Sequence, residues 1–255
     1  MSDTQTGQQR FTRPGAEQRP IPSVEERTRM VLQPIAAPSI LGLFAFAAAT
    51  FMVSTNMAHW YGTPTSGLYL FPFAAVFGGL AQLLAGMWSY RARDGVATAM
   101  HGMWGSFWIA YGILWLLDAT GTIAIPAGKF PELGYWFLAL GAITLAGTLA
   151  ATFESLGLTS VLGLLAAGSV FAALHYLTGS GTWETIAGWV LFASALAAFY
   201  VATALMMESA AGRAILPLGK PSAKARAKAE ADEPDGRVTE AIGWILGEPG
   251  IRHGQ

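Results

Sequence analysis

The sequence predicts an all-α polytopic membrane protein of six transmembrane helices, with both termini cytoplasmic. Three observations carry that reading. Of the 255 residues, 53% are hydrophobic and 12% are charged, against roughly 25% charged in an average soluble domain. No Asp, Glu, Lys or Arg occurs between Arg29 and Arg91, a run far longer than the ~18 apolar residues that mark a membrane span. The basic residues also fall almost entirely on one side of a six-span count.

The elements follow in order. Residues 1–33 form a polar, Pro-containing tail without the apolar core of a signal peptide, so the first span is expected to serve as its own insertion signal. Punctuation by charges and turn residues then leaves apolar segments at 35–60, 66–90, 96–117, 134–153, 156–178 and 185–207. Each is about 20 to 26 residues, enough for a ~30 Å hydrocarbon core at a rise of 1.5 Å per residue. A β-barrel would need alternating segments of about ten residues, so a helical bundle over 34–219 is the architecture that fits. Residues 220–255 form a charged, Ala-rich tail that reads as largely disordered, with a short amphipathic helix at 238–246 as one reading.

Six spans place both termini on one side, with Arg91, Arg93, Arg213 and the basic residues of both tails; Lys129 alone lies opposite. The positive-inside rule makes the crowded side cytoplasmic. Trp60, Tyr61, Tyr69, Trp88, Tyr90, Tyr135 and Trp136 fall near span ends, where aromatic rings settle at the bilayer interface.

The same inventory narrows function. Formal net charge is −1 with no basic face for nucleic acid, and the absence of cysteine removes thiolate chemistry and disulfides together. No metal-ligand spacing, HExxH motif or Ser/Thr–base pair is present, so no catalytic constellation, metal or cofactor is expected. Asp118, Glu154, Glu184 and Glu208 sit at span ends, where solvated capping is the commoner role; His101 is the one ionisable side chain well inside a span. Thr50, Ser54, Asn56, Gln82, Ser106, Ser194 and Tyr200 are weakly polar residues that suit either packing hydrogen bonds or a narrow path for a small, weakly polar solute. Pro34, Pro38 and Gly42 crowd the entry of the first span, which suits helix initiation and also an exposed helix N-terminus at membrane depth.

Several stretches resemble the acetate uptake transporter family, the succinate–acetate permeases. Ala37-Pro38-Ser39-Ile40-Leu41-Gly42-Leu43 is similar to its Asn-Pro-Ala-Pro-Leu-Gly-Leu signature, matching at Pro38, Leu41, Gly42 and Leu43. The stretches 77–86, Gly105-Ser106-Phe107-Trp108, Ala187-Gly188-Trp189 and 212–219 resemble its second, third and sixth spans and its exit. The resemblance covers residues 33–219. It implies a homo-oligomer, a hexamer, in the cell (inner) membrane, each protomer carrying acetate or a similar small monocarboxylate, sometimes succinate. It also implies a pathway constriction at Phe46, Trp104 and Leu165. Trp104 stands where the family has Tyr, and Ala37, Ile40 and His101 depart from the pattern as well.

Polar pathway candidates are therefore Asn56, Gln82, Ser106, His101 and Tyr200. Channel-like flux and proton-linked symport both fit, with the proton as a partner and the lipid bilayer as solvent. A transport-inactive oligomeric scaffold, or a pore for neutral solutes such as ammonia or water, is the competing reading.

Overall fold

The computed structural model describes residues 35–63 and 65–220. Both tails, including the amphipathic segment expected at 238–246, lie outside the described residues. Six helical rods are present: α1 (Pro38–Met57), α2 (Ser66–Ala92), α3 (Gly95–Ala119), α4 (Pro131–Ala151), α5 (Leu156–Thr178) and α6 (Gly181–Ala211). No strand occurs among the described residues.

By length and composition, five of the six are apolar enough to cross a bilayer. The remaining one, α3, has the length at 25 residues. Its mean hydropathy is lowered by His101, Tyr111, three tryptophans and four glycines. The chain is thus a multi-pass membrane protein, as the uncharged runs indicate.

Helix ends follow local chemistry. Pro38 and Pro131 occupy first-turn positions, where the missing N–H would be unpaired anyway. Asp94 and Ser155 cap α3 and α5 by accepting from the backbone N–H of Ala97 at 2.9 Å and of Leu158 at 3.2 Å. Gly179 ends α5 at φ +74°, a left-handed position suited to glycine, and α6 begins two residues later. This sharp reversal explains why α6 starts at Gly181, earlier than the expected 185. It also runs on to Ala211, and its 31 residues span about 46 Å, more than the hydrocarbon core requires.

The helices α4, α5, α6, α1, α2 and α3 pack in that spatial order, and a sparser seam between α3 and α4 closes the ring. Small residues set the closest approaches. A Cβ on Gly105 would lie 2.5 Å from the backbone nitrogen of Leu83, and one on Gly86 would lie 2.5 Å from that of Gly102, so α2 and α3 touch backbone to backbone. Gly188 brings α6 against the end of α1 in the same way, 2.5 Å from the nitrogen of Ala58. Across α5 and α6, Ser194 donates to the Val161 carbonyl at 2.8 Å, one of the few side-chain bonds between helices.

One irregularity escaped the sequence reading. Over Ala74–Ala81, α2 widens to π geometry just after Pro72. Proline lacks the N–H that an α-helical ladder needs and crowds the preceding turn, so a local change of winding is the relaxed solution. The wide turn ends immediately before Gln82.

Candidate functional site

Among the described residues, the cavities within the ring of helices include a larger and a smaller one. The larger, about 500 Å³, opens toward the side bearing the ends of α2, α4 and α6. Residues of α1, α3, α5 and α6 line it, together with Gln82 of α2 and the segment after α6. The smaller, about 30 Å³, lies deeper, among Thr50, Ser54, Trp108, Tyr111 and Tyr176. The larger falls within the range of roughly 300–1,000 Å³ for small-molecule sites, whereas the smaller has room for a water or two.

Trp104 and Leu165 line both cavities, and Phe46 lines the larger one. These three side chains are almost fully buried. The Trp104 ring meets Phe46 edge-on, with centroids 6.4 Å apart, and Phe107 at 5.3 Å. Its indole N–H donates to the Thr144 hydroxyl at 3.0 Å, and that hydroxyl donates to the Leu140 carbonyl at 2.7 Å. The indole is therefore pinned to α4 across the sparse α3–α4 seam, and it stands between the two cavities. Thr144 was invisible as a partner in the sequence, because the contact joins residues 40 positions apart on different helices.

The polar side chains of this region have an unusual property. Among the described residues, four buried side-chain atoms lack a hydrogen-bond partner: Gln82 Oε1 and His101 Nδ1, which belong to residues lining the larger cavity, and Thr50 Oγ1 and Trp108 Nε1, which belong to residues lining the smaller. An unpaired buried polar group costs about 1–3 kcal/mol, so four of them on cavity-lining residues mark a region that packing alone leaves unsatisfied. Gln82, the residue that follows the π turn of α2, is the one residue of that helix lining the larger cavity.

The cavity mouth is charged. Asp94, Glu154, Glu208 and Lys220 line it, and the Lys220 ammonium donates to both Glu208 carboxylate oxygens at 3.0 and 2.9 Å. Among the described residues no group of three or more His, Asp or Glu is arranged to hold a metal ion.

The other expected pathway residues lie elsewhere. Asn56 donates to the Tyr61 carbonyl at 3.1 Å and holds the α1–α2 loop. Ser106 is exposed on the outer face of α3 and donates back to the Gly102 carbonyl at 2.7 Å. Tyr200 is exposed on α6 and donates to the Pro217 carbonyl at 2.7 Å. None of the three lines either cavity. Their polarity was legible but their helix face was not.

Tyr200 instead pins a strap. Residues after α6 fold back so that the carbonyls of Leu218 and Gly219 accept from the N–H groups of Gly157 at 3.0 Å and Leu156 at 3.2 Å, satisfying donors at the start of α5. Tyr200→Phe should therefore loosen the strap by about 1 kcal/mol, read as a small fall in thermal midpoint in detergent. Ser106→Ala should leave that midpoint unchanged.

The signature residues divide similarly. Pro38 starts α1, Leu41 faces outward, Leu43 lines the larger cavity, and Gly42 lies beneath the His101 ring, where a Cβ would come within 2.6 Å of its carbons. The helix is regular from Pro38 onward, and its first residues border the cavity through Ala37 and Ser39.

Comparison with known proteins fits this geometry. The family model of the GPR1/FUN34/yaaH family matches residues 23–218. The chain belongs to this family. Among curated GPR1/FUN34/yaaH relatives, the succinate-acetate/proton symporter SatP of Escherichia coli strain K12 is 26% identical over 193 residues, covering 73% of this chain and 96% of its own. The acetate transporter protein patA of Aspergillus clavatus is 30% identical over 199 residues, 73% of this chain and 79% of its own. A solved structure described as the bacterial acetate channel SatP superposes with a TM-score of 0.67 at 23% identity, covering 73% of this chain and all of that one, a likeness of fold.

Proposed function

We propose that this GPR1/FUN34/yaaH protein transports acetate and related small monocarboxylates, succinate among the larger candidates, across the cell (inner) membrane. The observation that carries this reading is the pair of cavities whose lining residues carry buried unpaired polar groups, separated by an apolar neck at Trp104 and Leu165, with Phe46 against the indole. Relatives named as acetate transporters and a succinate-acetate/proton symporter support the solute class. Phe46, Trp104 and Leu165 act as the constriction, and Gln82 and His101 as polar contacts on its wide side. Asn56, Ser106 and Tyr200 serve the scaffold.

Both termini are cytoplasmic in this reading, because fourteen of the fifteen basic residues fall on their side. Exposed apolar faces such as Tyr69, Phe73, Val76 and Leu80 on α2 are then available to lipid and to neighbouring subunits of a hexamer, each protomer keeping its own pathway. Native mass spectrometry should give six copies.

The desolvation problem shapes the mechanism. An unpaired carboxylate loses several kcal/mol on leaving water, and Arg91 in the last turn of α2 is the only Lys or Arg within the described helices. A carboxyl group with a pKa of roughly 4.3 is neutral in only about one molecule in 500 at pH 7, so transport profits from bringing a proton along.

Exchange of radiolabelled acetate in proteoliposomes at equal pH on both sides is the test. The protein should exceed protein-free vesicles several-fold, and excess unlabelled propionate should suppress the difference. The indole that fills the neck favours a transport-inactive scaffold as the second reading. Exchange equal to protein-free vesicles in both the wild type and Trp104→Tyr would establish it.

A further inference from the structure

We propose that His101 receives the carboxyl group of the solute inside the bilayer and holds one proton in common with it. This rests on the monocarboxylate reading above and specifies the form in which the solute crosses.

His101 is 5% exposed, lines the larger cavity, and its Nδ1 has no hydrogen-bond partner. A buried ring nitrogen left in this condition is destabilising unless a visitor completes it. The ring rests against the bare Cα of Gly42, where any Cβ would lie 2.6 Å from three ring carbons, so the first turn of α1 limits where the imidazole can go. The signature glycine thus acquires a local reason in this chain: it makes room for a histidine on α3.

The charges around the cavity decide which species the ring meets. From α3 comes Asp94, from the α4–α5 turn Glu154, and from α6 Glu208; Lys220, from the segment after α6, is tied to Glu208. The cavity-lining residues of α1 and α5 carry no ionisable side chain, and α2 contributes only Gln82. Among the described lining residues the only Lys or Arg is Lys220, and Glu208 already holds it, so a bare carboxylate finds no free cation there. Gln82 Oε1, an acceptor without a partner, points the same way, because a carboxylate has no hydrogen to give it.

The proton balance is simple. A carboxylic acid beside a neutral imidazole, and a carboxylate beside an imidazolium, contain the same atoms and the same zero net charge. The proton arrives on the acid, is shared across one O···H···N contact, and leaves with the acid on the other side. No bond other than that to the proton forms or breaks, and no buried charge is left behind.

Wild type and His101→Gln in proteoliposomes test this, each corrected for protein-free vesicles. Initial acetate uptake is measured with and without an inward proton gradient of about two pH units, alongside acetate exchange at equal acidic pH, both normalised to the protein that elutes as a single peak in detergent. Gradient stimulation of about fivefold or more in the wild type, reduced to near onefold in His101→Gln, is the expected result. Full gradient stimulation in His101→Gln overturns the proposal. Wild-type exchange without gradient stimulation overturns it too, while leaving monocarboxylate transport standing. Wild-type exchange no greater than that of protein-free vesicles removes the transport reading and this proposal together.

Discussion

Trp104→Ala should raise the initial rate of acetate uptake about tenfold over the wild-type chain, equivalent to ~1.4 kcal/mol off the barrier. Trp104 lines both cavities, so removing the indole joins them at the point where the lumen is now filled. The substitution leaves no stranded donor behind, since the Thr144 hydroxyl still donates to the Leu140 carbonyl at 2.7 Å. Trp104→Tyr should act in the same direction with a smaller gain. Stability must fall meanwhile, by about 3–5 kcal/mol on the scale of large-to-small core substitutions. Uptake is therefore normalised to the protein that elutes as a single peak in detergent. Unchanged normalised uptake in Trp104→Ala would mean that neighbouring rings such as Phe46 and Phe107 collapse into the space, or that the solute takes another route.

The second large effect is structural. Gly105→Val should abolish most folded protein, because its Cβ alone would sit 2.5 Å from the Leu83 nitrogen and 2.8 Å from the Leu83 Cα. Backbone atoms cannot rotate away as a side chain does, so α2 and α3 must separate by about an ångström over the whole contact. Trp104 is the adjacent residue, and the neck would shift with it. Gly95→Ala is the matched control, since nothing lies within 4 Å of a Cβ built there. Recovery of a monodisperse peak and its thermal midpoint measure both. A Gly105→Val protein that purified and melted like the wild type would show that the α2–α3 contact is looser in the bilayer than its geometry indicates.

The helices were legible because their signal is local. An uncharged run of the right length, ended by Arg91, Asp94 or Gly179, specifies a span whatever its neighbours are. Where the ends moved, as in α6, a single left-handed glycine allowed a shorter turn than its polar flank suggested. The lumen was legible only in part. Phe46, Trp104 and Leu165 came forward through resemblance, and each lines the larger cavity. Ser106 and Tyr200 have the polarity of lumen residues, but helices with polar atoms on several sides give little sign of which side faces inward. The Thr144 partner and the unpaired His101 nitrogen depend on packing between helices, and no periodicity in one segment reports that.

The distribution of fixed charge along the six helices has an electrical consequence. Arg91, Asp118, Glu132, Glu184 and Glu208 all occupy first or last turns, so no permanently charged side chain lies deep in the hydrocarbon. Membrane voltage does work of about 2.3 kcal/mol per 100 mV on each elementary charge carried across the field. A bundle without such charges offers voltage no handle on its shape. Depolarising the cell should neither open nor shut it, and the chemical supply of solute is left to set the flow.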